Sequence, residues 1–130
     1  MRYLPIDKQL FIQNRQRLTQ LLKPKSLVVL NANDIMPTNA DGTMGFRQNS
    51  DLFYLTGVDQ EETQLVLFPD HPDEKFREVL FLRETSELIE IWEGHKLTKA
   101  EAEQATGIPQ KQIYWTHQFE QVFIQMIFEA

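Results

Sequence analysis

The stretch GFRQNSDLFYLTGVD, residues 45–59, combines aromatic rings with amides and charges, a mixture that neither a core segment nor a surface loop usually carries. Ser50 can cap a short helix, and Gly57 is suited to end that helix in the left-handed conformation. Asn49 can satisfy loop amides, as a buried loop requires. We therefore predict a docked loop and helix, with four side chains directed to the core: Phe46, Leu52, Phe53 and Leu55.

The segments around this stretch alternate between helix and strand patterns. Amphipathic spacing predicts a helix over 7–22, which the proline of KPK ends. Short apolar runs predict strands at 26–32, 63–69 and 76–84. The close spacing of the last two strands favours an antiparallel hairpin.

The C-terminal third carries the clearest local signals. Thr98 and Glu101 form a capping-box pattern that predicts a helix over 97–109. Residues 112–115 resemble a short edge strand, and a last helix is expected from Thr116 onward. The alternation indicates an α/β domain with a mixed sheet flanked by helices.

Composition narrows the class of protein. The chain has 130 residues, a net charge of −6 and no cysteine, which fits one globular domain without disulfides, thiolate metal sites or cysteine nucleophiles. An acidic chain disfavours nucleic acid as a partner, and no apolar run approaches the length of a membrane helix. The N-terminus lacks the apolar region of a signal peptide. We expect a cytoplasmic protein with neither nucleic acid nor membrane as a partner.

A search for catalytic chemistry finds little. The histidines at positions 71, 95 and 117 lack the spacing of a metal site, and we predict that they lie at the surface or cap local structure. The four glutamates of 84–94 would need a positioned cleft before they could act as acid and base. The phosphate-binding and nucleophile motifs are absent. We expect no catalytic residue and no metal ligand in this chain.

The opening stretch and its continuation carry a family resemblance. FRQNSDLFYLTGVDQEETQLVLFP (46–69) resembles the signature of the N-terminal domain of aminopeptidase P, in the creatinase/prolidase group of pita-bread metallopeptidases. EIWEG (90–94) resembles the E-x-W-x-G segment of that family. The first match is long and specific, and the second would be weak alone. The resemblance covers nearly the whole chain.

The resemblance implies the fold, the activity and the cofactor of a larger parent. The fold would be a creatinase/prolidase-like N-terminal domain with a mixed sheet of about six strands. Residues 1–130 would form this domain, and the catalytic pita-bread domain would be absent from the chain. The parent would be a Xaa-Pro aminopeptidase that removes the residue before proline. Its two metal ions, usually manganese, would lie in the missing domain, so the fragment alone would be neither metal-binding nor catalytic.

The resemblance also implies partners and candidate site residues. The partners would be the chain's own C-terminal catalytic domain, further copies in a dimer or tetramer, and the peptide substrate. Trp92 and Asp41 are candidates for a substrate cleft or an interface. A core Trp92 and a plain turn Asp41 are the alternatives. Five residues of the longer motif are expected to hold its loop in place: Arg47, Asn49, Ser50, Asp51 and Gly57.

Two other functions stay open from the sequence. One is the equivalent domain of a prolidase or creatinase. The other is a stand-alone, non-enzymatic module that binds a peptide or protein. The chain also departs from the family pattern after the tryptophan, where Glu93 replaces a commonly aromatic residue and His95-Lys96 stand where basic residues often follow. The specificity of this rim is therefore not predicted.

Overall fold

A computed structural model of the chain describes residues 6–31 and 50–130. Within these residues, four strands form one sheet in the order β1-β2-β3-β4. The strands are β1 Val28–Asn31, β2 Gln64–Leu67, β3 Glu78–Leu82 and β4 Ile113–Trp115. The helices are α1 Lys8–Leu21, α2 Ser50–Thr56, α3 Glu87–Glu93, α4 Lys99–Thr106 and α5 Phe119–Phe128.

The sheet is mixed, as the sequence predicts. β1 pairs with β2 and β2 with β3 in antiparallel fashion, whereas β3 and β4 are parallel. The predicted hairpin of β2 and β3 is thus confirmed, and among the described strands β4 lies at the edge, as predicted. The expected count of about six strands is not confirmed, since the described part of the chain forms four. β3 begins later than predicted because residues 74–76 form a 3₁₀ turn.

Both faces of the sheet are covered by helices. Leu65 and Leu80 contribute to one core cluster, together with buried residues of α2 and α4. Val66 and Phe81, the next residues along each strand, join a second cluster with Val122 and Met126 of α5. Successive strand side chains point to opposite faces, so a continuous apolar run supplies both clusters. This explains why the two central strands lack the alternation of a half-exposed sheet.

Helix α1 crosses two helix ends that share the sequence Thr-Gly-(Val/Ile). Gly57 ends α2 with φ +73°, and Gly107 ends α4 with φ +79°. A Cβ on Gly57 would lie 2.4 Å from the Phe11 ring, and one on Gly107 would lie 2.5 Å from Ile12. The prediction that Gly57 ends α2 in the left-handed backbone conformation is confirmed. The absence of a side chain at Gly57 also lets α1 pack closely against this end of α2.

One histidine departs from its predicted environment. His71 is buried rather than at the surface, between the rings of Phe68 and Phe76. Its Nδ1 accepts a hydrogen bond from the Asp73 amide, so Nε2 carries the proton that reaches the Met126 carbonyl at 2.9 Å. Of the two predicted alternatives, a surface position is wrong because α5 covers the turn, whereas capping of local structure is confirmed by the hydrogen bond from the Asp73 amide. His71 instead joins that turn to α5.

Candidate functional site

Three large apolar side chains are exposed on one face of α3. Leu88, Ile91 and Trp92 are 65%, 75% and 80% exposed. They lie at positions i, i+3 and i+4, which share one side of a helix. We call these three residues the α3 stripe. Large apolar side chains grouped in this way on a surface are typical of a site that contacts another molecule.

Local signals explain why α3 forms at all. The Ser86 hydroxyl accepts a hydrogen bond from the Ile89 amide at 3.2 Å and so caps the first turn. Glu87 and Glu90 lie in that turn, where negative charge is favourable toward the helix dipole. Gly94 ends the helix by donating its amide to the Glu90 carbonyl, with φ +86°. A helix of seven residues has little intrinsic stability, so these end groups matter.

The segment between α3 and α4 is fixed to the body of the domain. Lys96 donates to Glu61 at 2.6 Å, and the Leu97 amide donates to the Gln60 side chain at 3.0 Å. This hydrogen bond from Lys96 lowers the pKa of Glu61, an effect that the charge of Arg83 reinforces and partial burial opposes. The segment after Gly94 is therefore anchored, while the α3 stripe itself is exposed.

His95 lies between two carboxylates at the junction of these helices. Its Nδ1 is 3.3 Å from Glu90 of α3, and its Nε2 is 3.0 Å from Glu101 of α4. The hydrogen bond with Glu90 and the charge of Glu101 raise the pKa of His95 above its ordinary value. The pKa of Glu101 is lowered, chiefly by its hydrogen bond from the Thr98 amide. The junction thus favours a charged imidazole.

The sequence-predicted site residues are only partly described by the structure. Trp92 lies exposed on α3, so it is not a core residue of this domain. Asp41, Arg47 and Asn49 lie outside the described residues. Ser50 and Asp51 form the start of α2, but their side chains are likewise outside the description. The roles predicted for these residues remain predictions.

Sequence reasoning missed part of the site. Leu88 and Ile91 were not singled out, although their spacing to Trp92 and the flanking Ser86 and Gly94 are signals of a capped amphipathic helix. The contacts of His95 with both helices could not be found from spacing, because its partners lie five residues before it and six after it.

The described residues offer no metal centre. Within residues 6–31 and 50–130, no group of three or more His, Cys, Asp or Glu side chains could hold a metal ion. The same part of the chain contains no helix that is both long and apolar enough to cross a membrane. What the described surface offers is an exposed apolar stripe beside an ionic junction.

Comparison with known proteins assigns the family. The family model described as "Aminopeptidase P, N-terminal domain" matches residues 11–130, which is nearly the whole chain. The chain belongs to this family. The aminopeptidase P resemblance and the α/β fold that it implied are confirmed.

Individual relatives agree with this assignment. A Xaa-Pro aminopeptidase of Escherichia coli (strain K12) is 34% identical over 103 residues, covering 79% of this chain and 23% of that protein. The Xaa-Pro aminopeptidase of Haemophilus influenzae is 31% identical, covering 79% of this chain and 24% of that protein. The solved Pseudomonas aeruginosa aminopeptidase PepP superposes with a TM-score of 0.79 at 26% identity, covering 96% of this chain and 27% of that one. The chain thus spans about a quarter of the length of these relatives.

Proposed function

We propose that this chain is the non-catalytic N-terminal domain of a Xaa-Pro aminopeptidase, and that it shapes substrate access and assembly through the α3 stripe. Family membership supports the first part, because the similar proteins of Escherichia coli and Haemophilus influenzae are both Xaa-Pro aminopeptidases. The exposure of Leu88, Ile91 and Trp92 carries the second part. The cysteine-free composition suits the cytoplasmic location that we propose with it.

In this proposal the N-terminal domain and the catalytic domain of the parent protein have different roles. The metal ions, which we propose to be a manganese pair, would be held by the catalytic domain of the parent, and residues 6–31 and 50–130 do not form a site that fits them. Hydrolysis of the bond before proline would occur in the catalytic domain. The residues of this chain would act by contact and by positioning, and α3 is the element best placed to do so.

The chemistry of Trp92 fits a role at a peptide-binding cleft. An indole presents a flat apolar face that can pack against the ring of a proline, and its N–H can still donate a hydrogen bond. Trp is also enriched among residues that dominate binding at interfaces. Leu88 and Ile91 extend the contact along α3. We propose that the stripe meets a neighbouring subunit of a dimer or tetramer near its active site.

The first experiment uses the full-length enzyme with Trp92→Ala. We expect kcat/KM on peptides with proline at the second position to fall by about tenfold or more, as for truncation of an interface hot spot. Leu21→Ala is the matched control, because Leu21 is 82% exposed on α1 and lies outside the stripe. Sedimentation velocity on each variant reports whether the oligomer is intact.

The outcomes separate the alternatives. Lost activity with an intact oligomer supports a cleft role, and a lost oligomer makes Trp92 an interface anchor. Unchanged activity and assembly would overturn the role of the stripe. A full-length protein without proline-directed peptidase activity after chelation and restoration of Mn²⁺ would overturn the enzyme assignment and leave a binding module.

A further inference from the structure

His95 faces a carboxylate oxygen with each of its ring nitrogens. Nδ1 lies 3.3 Å from Glu90 Oε1, and Nε2 lies 3.0 Å from Glu101 Oε1. An ionised carboxylate only accepts hydrogen bonds, so both ring nitrogens must donate for both contacts to be attractive. Only the imidazolium has two N–H groups. The neutral ring would point a lone pair at one of the carboxylates.

The two carboxylates belong to different helices, which are joined by the linker 94–98 that begins at a glycine. Glu90 is in α3, and Glu101 is fixed at the start of α4 by the capping box with Thr98. Gly94 lies between them with φ +86°, and a Cβ built on it would meet nothing within 4 Å. This open glycine can act as a pivot. The two contacts of His95 therefore connect the exposed helix α3 to the anchored helix α4 across Gly94.

We propose that His95 is a positioning residue: its imidazolium clasps α3 to α4 and so sets the orientation in which α3 presents Trp92. The inference rests on the proposed function, because His95 would set the orientation of the same contact surface, the α3 stripe. The clasp would be closed when His95 is protonated. It would loosen when the ring becomes neutral and one carboxylate contact is lost.

The charged surroundings of His95 define the direction of the pH dependence. Glu90 and Glu101 are the charged groups that face it among the described residues, while Lys96 is engaged by Glu61 and Lys99 lies over the Trp115 ring. Both acidic neighbours raise the pKa of His95 above its ordinary value of about 6.5. The clasp is thus complete below that value and opens as pH rises through the raised pKa.

The test labels the 130-residue chain with 5-fluorotryptophan and follows the Trp92 resonance by ¹⁹F NMR against pH. Trp115→Phe assigns the two tryptophan signals. We expect the Trp92 resonance to titrate with the same midpoint as the His95 ring measured by proton NMR. Glu101→Gln should lower both midpoints together. A Trp92 resonance whose ¹⁹F chemical shift does not change at the pH of the His95 midpoint would overturn the proposal.

Substitutions of His95 distinguish a role in the orientation of α3 from a role in the stability of the fold. His95→Gln should abolish the Trp92 titration. His95→Arg, which keeps a permanent charge and two donors, should hold the resonance near its low-pH position at every pH. His117→Gln is the matched control, because His117 pairs with the single carboxylate of Glu84 at 3.0 Å, and it should leave the titration unchanged. Failure of the arginine rescue would count against a clasp.

The full-length enzyme gives an independent readout. If Trp92 acts at the cleft, KM should rise by about two- to fivefold as pH passes the His95 midpoint, because exposed ion pairs have modest strength. This rise should be absent in His95→Arg. A clasp seen by ¹⁹F NMR together with an enzyme indifferent to Trp92→Ala would refute the proposed function alone. A Trp92-dependent enzyme without coupling to His95 would refute the clasp alone.

Discussion

Arg15 on α1 forms an ion pair with Glu78 on β3, 63 positions further along the sequence, with Nε 3.0 Å from the carboxylate. The rest of the guanidinium donates to the Leu55 carbonyl at 2.8 Å and to the Thr106 carbonyl at 2.7 Å. The side chain is 1% exposed, so this charge is stable only because it is paired and hydrogen-bonded. Arg15 thus joins α1 to the ends of α2 and α4 and to the sheet.

Removal of this buried guanidinium should destabilise the whole domain. Arg15→Met leaves Glu78 without its partner and two carbonyls without donors, and we expect a loss of about 3 kcal/mol in the free energy of unfolding. Urea denaturation followed by circular dichroism measures it. Arg17→Met is the control, since Arg17 is exposed on the same helix. Equal effects of the two substitutions would show that the buried network is not stabilising.

The two Thr-Gly helix ends should respond differently to alanine. Gly57→Ala places a Cβ 2.4 Å from the buried ring of Phe11, whereas the Cβ in Gly107→Ala meets the flexible end of Ile12. Both substitutions force a positive φ on alanine, so the difference reports the overlap alone. We expect Gly57→Ala to cost about 1 kcal/mol more than Gly107→Ala. A reversal of that order in urea denaturation would contradict this account.

The sequence predicted those elements whose signals lie within a few residues of each other. The capping box of Thr98 and Glu101 is present with both hydrogen bonds, and the hairpin of β2 and β3 forms where turn residues separate two apolar runs. The burial of His71 could not be predicted in this way. Its environment depends on Met126, 55 positions away, while its own neighbours have the polar character of an exposed turn.

The sequence predicted only part of the candidate site, again because its local patterns are weak or absent. Trp92 was singled out through the family resemblance, not through periodicity. In α3, with only seven residues, four apolar positions among three glutamates give a weak helical pattern. The clasp of His95 depends on how two short helices meet, which local spacing does not encode. Asp41, Arg47 and Asn49 lie outside the described residues, so their predicted roles stand as predictions.

The ion pair of Glu61 and Lys96 should make part of the stability depend on pH. The hydrogen bond from Lys96 lowers the pKa of Glu61, so its contribution is present above the ordinary glutamate pKa and is lost as pH falls through the lowered pKa. We expect Glu61→Gln to destabilise the domain at pH 7 and to have a smaller effect at pH 3. Urea denaturation at the two pH values measures this.

The adjacent glutamate provides the control for that experiment. Glu62 is about half exposed and pairs with Arg83 at 3.3 Å. We expect Glu62→Gln to change the free energy of unfolding by less than about 0.5 kcal/mol at both pH values, as for most exposed ion pairs. An effect of Glu61→Gln that stays constant from pH 7 to pH 3 would show that the loss does not come from the charge of Glu61.

The α3 stripe should contribute little to the stability of the isolated domain. Trp92 is 80% exposed, so Trp92→Ala removes few contacts within the chain, and we expect a change below about 0.5 kcal/mol. Leu52→Ala, at a fully buried position of α2, should cost about 3 kcal/mol through lost burial and the cavity left behind. Urea denaturation compares the two variants directly. A cost for Trp92→Ala near that of Leu52→Ala would mean that the indole packs within the domain in solution, and the stripe could not then serve as a contact surface.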